Sequence, residues 1–115
     1  MGSVHSLTML LSSCGSNFYP DITGKLYYDS STGKVNYIKF TVTGGGGGPY
    51  NVYYLLSASP KKQGTDGWTY IGKAYEGEEF TYYVPGNHYI SSGWYYNISA
   101  VDPDGFNGYG YAYWH

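Results

Sequence analysis

The 115-residue sequence contains no arginine, a single cysteine and no long apolar run. Each absence removes a class of function. Six lysines scattered along the chain, without arginine, make no basic stripe to follow a phosphate backbone, so no nucleic-acid partner is expected. Cys14 alone closes no intrachain disulfide and completes no zinc or redox pair. Apolar stretches fall short of the roughly 18 residues that signal a membrane-spanning helix, so no transmembrane segment is expected. Catalytic signatures are missing too. His5, His88 and His115 are dispersed, and neither an H-E-x-x-H helix motif nor a G-x-S-x-G elbow occurs. The expectation is a chain that is not an enzyme and has no metal or other cofactor.

Charged residues are also scarce, at 12% with a formal net charge of -2, so solubility must come from hydroxyls, amides and backbone. Such a surface suits an extracellular or cell-surface protein. Leu, Ile, Val and Phe supply only 21 residues, and the missing apolar mass comes from 17 Tyr and 3 Trp. Tyrosine buries a large ring and keeps a polar tip, so these residues can fill one core and still leave adhesive, wettable faces.

From Lys25 onward, short runs rich in Tyr, Val, Ile, Thr and Phe alternate with Gly, Pro, Asn and Asp, the pattern of an all-β fold. No helical period competes with it. The cluster Asp29-Ser30-Ser31-Thr32-Gly33 reads as a turn between Tyr27-Tyr28 and a strand over 35–42. In that strand Ile38, Phe40 and Val42 share one face, and Tyr37, Lys39 and Thr41 the other. After the glycine run 44–48, Tyr50, Val52, Tyr54 and Leu56 alternate with Asn51, Tyr53, Leu55 and Ser57. Further strands are predicted over 68–71, 80–84, 94–101 and 109–114, the last two joined by a turn at Asp102-Pro103-Asp104-Gly105. The fold class is therefore a two-sheet antiparallel β-sandwich over residues 18–115, preceded by an N-terminal extension over 1–17.

Three stretches carry a family likeness. Tyr50-Asn51-Val52-Tyr53-Tyr54 resembles the third strand of a fibronectin type III domain, Tyr83-Val84-Pro85-Gly86 the end of its E strand, and the stretch from Trp94 to Asp102 its F strand and following turn. The resemblance implies a fibronectin type III or related immunoglobulin-like sandwich across about residues 25 to 114. In the extension, Leu11-Ser12-Ser13-Cys14 after the apolar stretch 4–11 resembles a bacterial lipobox. That likeness implies lipidation at Cys14 and a surface anchor.

Other motifs reduce to turns. The glycine run lacks the Gly-Lys-Ser/Thr of a phosphate loop, and the Asp102-Asp104 segment lacks the distal glutamate of a calcium loop. Glu76, Glu78 and Glu79 read as a solvated acidic loop. Asn97-Ile98-Ser99 is a glycosylation sequon whose asparagine alternates away from Tyr96 and Ile98, making Asn97 a candidate acceptor.

Aromatic residues exceed what one small core absorbs. Tyr109, Tyr111 and Tyr113 form one face of the last strand, and Tyr53 and Tyr95 point outward by the same alternation; with Trp68 and Trp114 they are the candidate interaction surface. The leading expectation is a structural or adhesive subunit that self-associates through these faces. Strand donation by the N-terminal segment, with Val4, Leu7, Met9 and Leu11 filling pockets of a neighbouring copy, would extend the contact into a filament. Alternatives are a carbohydrate-binding module that stacks a glycan on Trp68, Trp114 or the Tyr109 ladder, and an accessory module of a phage or virus particle.

Overall fold

The computed structural model describes residues 4–8, 10–11, 19–61 and 67–114. Two antiparallel sheets pack face to face. Among the described residues nine strands supply them, in chain order β1 (Val4–Thr8), β2 (Leu10–Leu11), β3 (Pro20–Asp29), β4 (Val35–Gly44), β5 (Tyr50–Ser57), β6 (Thr69–Ala74), β7 (Phe80–Tyr83), β8 (Tyr95–Val101) and β9 (Asn107–Ala112). One sheet has the order β1-β3-β4-β7 and the other β2-β9-β8-β5-β6. A 3-10 turn at Ile90–Ser92 lies between β7 and β8.

Period-2 alternation builds the core. Ile22, Leu26, Ile38, Phe40 and Val42 from the first sheet meet Tyr50, Val52, Tyr96, Ile98 and Ala100 from the second, and all are buried. The strand-forming residue types are those that fit a pleated, half-buried surface. At the start of β3 the two sheets come close enough that a Cβ on Gly108 would collide with the Pro20 carbonyl oxygen. Glycine at that position lets β9 pass under β3.

The strand register sorts the connections into two ends. Pro20 pairs with Gly44, Tyr50 with Ala74, and Val101 with Asn107, so the segments 45–49, 75–79 and 102–106 gather at one end, called here the loop end. At the opposite, hairpin end lie the turn at 30–34 and the β7–β8 connection, joined where Val35 donates to the His88 carbonyl and Ile90 to the Gly33 carbonyl.

Strand limits shift slightly from those the sequence suggests. β6 runs to Ala74 because Gly72 and Ala74, too small to advertise an apolar face, still pair with Val52 and Tyr50. β9 begins at Asn107, where it first pairs with Val101, and ends at Ala112.

Candidate functional site

Burial of Tyr96, Ile98 and Ala100 turns Tyr95, Asn97 and Ser99 to the outer face of the second sheet. Their neighbours on β9 follow from the register, Asn97 opposite Tyr111 and Ser99 opposite Tyr109. Tyr95 stacks on Tyr113 with centroids 4.0 Å apart and planes 8° from parallel, and meets Tyr111 edge-on at 5.3 Å. Across the sheet, Tyr53 meets Tyr70 edge-on at 5.6 Å. Desolvation, then the neighbouring Tyr113 and Tyr111 phenols, push the Tyr95 hydroxyl above its ordinary pKa. Trp68 is half-buried and Trp114 exposed.

Asn97 faces outward and is nevertheless fully buried. Its Nδ2 donates to the Leu55 carbonyl, the Ser57 hydroxyl and the Tyr95 carbonyl at 2.8, 2.8 and 3.2 Å, and its Oδ1 accepts from the Lys61 amide at 3.1 Å. The segment after β5 has folded back over this asparagine. Alternation gave the direction of the side chain correctly but not its accessibility, and the expectation of a sugar acceptor at Asn97 finds no support in this geometry.

The outer face of the first sheet carries an aromatic ladder that strand alternation alone does not reveal. Register places Tyr27 beside Tyr37 and Tyr37 beside Tyr83. The first pair stacks at 4.9 Å and 23°, and the second is tilted at 5.6 Å and 59°. Tyr83, on the edge strand, is 72% exposed. The Lys39 ammonium lies 5.6 Å from the Tyr37 ring centroid and 3.9 Å from a Glu79 carboxylate oxygen. Beside the ladder an open groove of about 420 Å³ is lined by Lys34, Val35, Asn36, Tyr37, Tyr83, Val84 and Gly86. The outward placement of Tyr37 is the one local signal of this ladder.

Tyr27–Tyr37 and Tyr95–Tyr113 are stacked, and the Tyr37–Tyr83, Tyr95–Tyr111 and Tyr53–Tyr70 contacts are tilted or edge-on. Edge-on and offset contacts of this kind satisfy the aromatic quadrupole within the protein.

At the loop end, Asp102 is buried and its carboxylate accepts from three backbone amides, Gly46 at 2.7 Å and Asp104 and Phe106 at 2.9 Å. A Cβ on Gly45 would stand 2.7 Å from Asp102 Oδ2, and one on Gly46 would meet the Asp104 carboxylate. The glycine run thus lets the loop wrap a carboxylate. Next to it, Tyr50 is buried with its hydroxyl donating to the Gly44 carbonyl at 2.7 Å and lying 3.1 Å from Glu76 Oε1, which accepts from the Gly44 amide. Burial and the Glu76 carboxylate raise the Tyr50 pKa. Among the described residues no group of three or more His, Cys, Asp or Glu is placed to hold a metal ion.

The two described strands of the N-terminal segment pair with their own chain. β1 adds to the edge of the first sheet, with Val4 opposite Asp29 and Leu7 opposite Leu26, and β2 adds to the edge of the second, with Leu11 opposite Gly110. Met9 and Cys14 lie outside the described residues. Among the described residues no helix is long and apolar enough to cross a membrane.

A scan against protein-family models and searches of curated proteins and of solved structures return no significant match to this chain.

Proposed function

We propose that this chain is a non-enzymatic structural and adhesive subunit of an extracellular or cell-surface assembly, a fibronectin type III-like sandwich that associates with further copies of itself. Strand order supports the family reading. If β3, β4, β5, β7, β8 and β9 are taken as A, B, C, E, F and G, one sheet holds A, B and E and the other C, F and G, the division of immunoglobulin-like sandwiches. β6 lies beside C, and β1 and β2 are additions at the sheet edges.

The observation that carries the functional reading is the pair of tyrosine ladders on the two outer faces, set beside strand edges that are guarded. On one side the edge strands are β1 and β2, five and two residues long. On the other, β7 is four residues long between Glu78-Glu79 and Pro85, and β6 is distorted where its pairing shifts at Val52/Tyr53 and carries the exposed Lys73. Short, charged, bulged and proline-flanked edges resist strand pairing with another chain. Exposed aromatic faces favour side-chain contacts instead. Association through faces leaves the N-terminal segment in place, whereas strand donation requires its release from both sheets.

Sedimentation velocity tests this reading. The unmodified chain is expected to form concentration-dependent larger species. Replacing Tyr37 and Tyr83 by serine, or Tyr111 and Tyr113 by serine, should weaken association at least tenfold in one of the two pairs. A single sharp monomer boundary for the unmodified chain at all concentrations would overturn it. The carbohydrate-binding alternative is favoured by one feature, the exposed Tyr83 ring beside an open groove lined by Lys34 and Asn36. It predicts saturable binding of a soluble polysaccharide that Tyr83→Ser abolishes.

A further inference from the structure

Surface charge is divided between the two ends of the sandwich. Asp21, Glu76, Glu78, Glu79 and Asp104 are exposed at or beside the loop end, above the buried Asp102. Lys73 near the end of β6, Lys39 beside Glu79 and Lys25 paired with Lys39 offset this only in part. At the hairpin end stands Lys34, and Lys61 follows β5 there. The one described carboxylate at that end, Asp29, is turned onto Ser31 and Thr32 of its own turn.

The two ends also differ in shape. The hairpin end holds the groove of about 420 Å³ with Lys34 and Asn36 among its lining residues and the exposed Tyr83 ring beside it. The loop end projects an aromatic tip, Tyr19 edge-on to Phe106 at 5.3 Å and 84°, with the exposed Tyr75 on the neighbouring loop. Carboxylates surround that tip. An acidic, aromatic projection matches a groove that offers an ammonium, an amide and tyrosine rings.

We infer that the loop end of one copy docks in the groove beside Tyr83 of the next, joining copies head to tail. This rests on the self-association reading and names the two surfaces that meet. The contact is heterologous, so every added copy presents a fresh tip and a fresh groove, and growth continues unless the rotation closes a ring. Opposite charge at the two surfaces sets the polarity of addition and opposes tip-to-tip and groove-to-groove encounters.

Two one-ended variants test the geometry. Lys34→Ala with Tyr83→Ser disables the groove, and Glu78→Lys with Asp104→Lys disables the tip. All four positions are exposed, and an unchanged circular dichroism spectrum checks that each variant folds. Each variant alone should sediment as a monomer where the unmodified chain forms large species. Mixed in equal amounts they should give a dimer and nothing larger, because one intact tip meets one intact groove. Raising salt from about 0.02 M to about 0.5 M should weaken association of the unmodified chain roughly tenfold, since exposed charges are then screened within a few ångströms. Either variant assembling alone like the unmodified chain, or a mixture that stays monomeric, overturns the head-to-tail contact while self-association stands. An unmodified chain that is monomeric throughout overturns both.

Discussion

A buried hydroxyl without an acceptor costs about 1–3 kcal/mol, and among the described residues this sandwich holds two, on Tyr54 and Tyr96. Both rings fill core volume that the scarce aliphatic residues cannot. Tyr54 also packs on Tyr82 with centroids 4.8 Å apart. Replacing Tyr96 by phenylalanine keeps the ring and deletes the unpaired oxygen, so Tyr96→Phe is expected to stabilise the fold by about 1 kcal/mol in urea denaturation. A loss of similar size would show that the hydroxyl has a partner in solution. Burial has a second consequence at high pH. It raises the Tyr96 pKa from 10.0 to about 12 and pushes the Tyr54 hydroxyl up as well. The folded state therefore keeps protons that the unfolded chain releases above pH 10.0, and stability, unaffected below that value, falls as pH rises toward about 12. Phenolate absorbance and circular dichroism followed together should show these tyrosines ionising only as the sheets unfold. Ionisation of every tyrosine near pH 10.0 with the fold intact would contradict their burial.

At the scale of elements, the N-terminal strands fasten the sandwich along one side. β1 pairs over five residues with β3 and β2 over two with β9, so one segment bridges both sheets. A chain beginning at Phe18 loses both and bares the edges of β3 and β9. Its urea midpoint should fall while its β-sheet spectrum and its concentration-dependent assembly persist. Assembly that disappears with residues 1–17 would restore strand donation as the link between copies. This layer also shows how much the sequence discloses. Strands β4, β5 and β8 are legible because large apolar residues recur every second position, as in Ile38, Phe40 and Val42. The end of β6 is not, since Gly72 and Ala74 carry too little side chain to mark a face. The Tyr27–Tyr37–Tyr83 ladder is set by register among three strands, and the β4–β7 pairing joins residues far apart in the chain. The enclosure of Asn97 depends on the fold-back that brings the Lys61 amide to its Oδ1. Local periodicity encodes neither.

The whole molecule measures 44 × 26 × 23 Å. Ten-residue strands such as β3 and β4 extend about 33 Å, so they run along the long axis and the loop and hairpin ends lie at its two poles. Five exposed carboxylates at or beside one pole and the groove with Lys34 at the other give the molecule a direction. Its outer faces carry tyrosine rings packed on one another, and its edge strands are short or distorted. On the proposed reading, a body built in this way would join others through side chains and charge. The most direct test is the weight-average molar mass of the unmodified chain by light scattering, followed across a hundredfold dilution at low salt. The account predicts a mass well above the 12.8 kDa of one chain, rising with concentration without a plateau and returning toward it on dilution. A mass fixed at that of one chain across the whole range would contradict it.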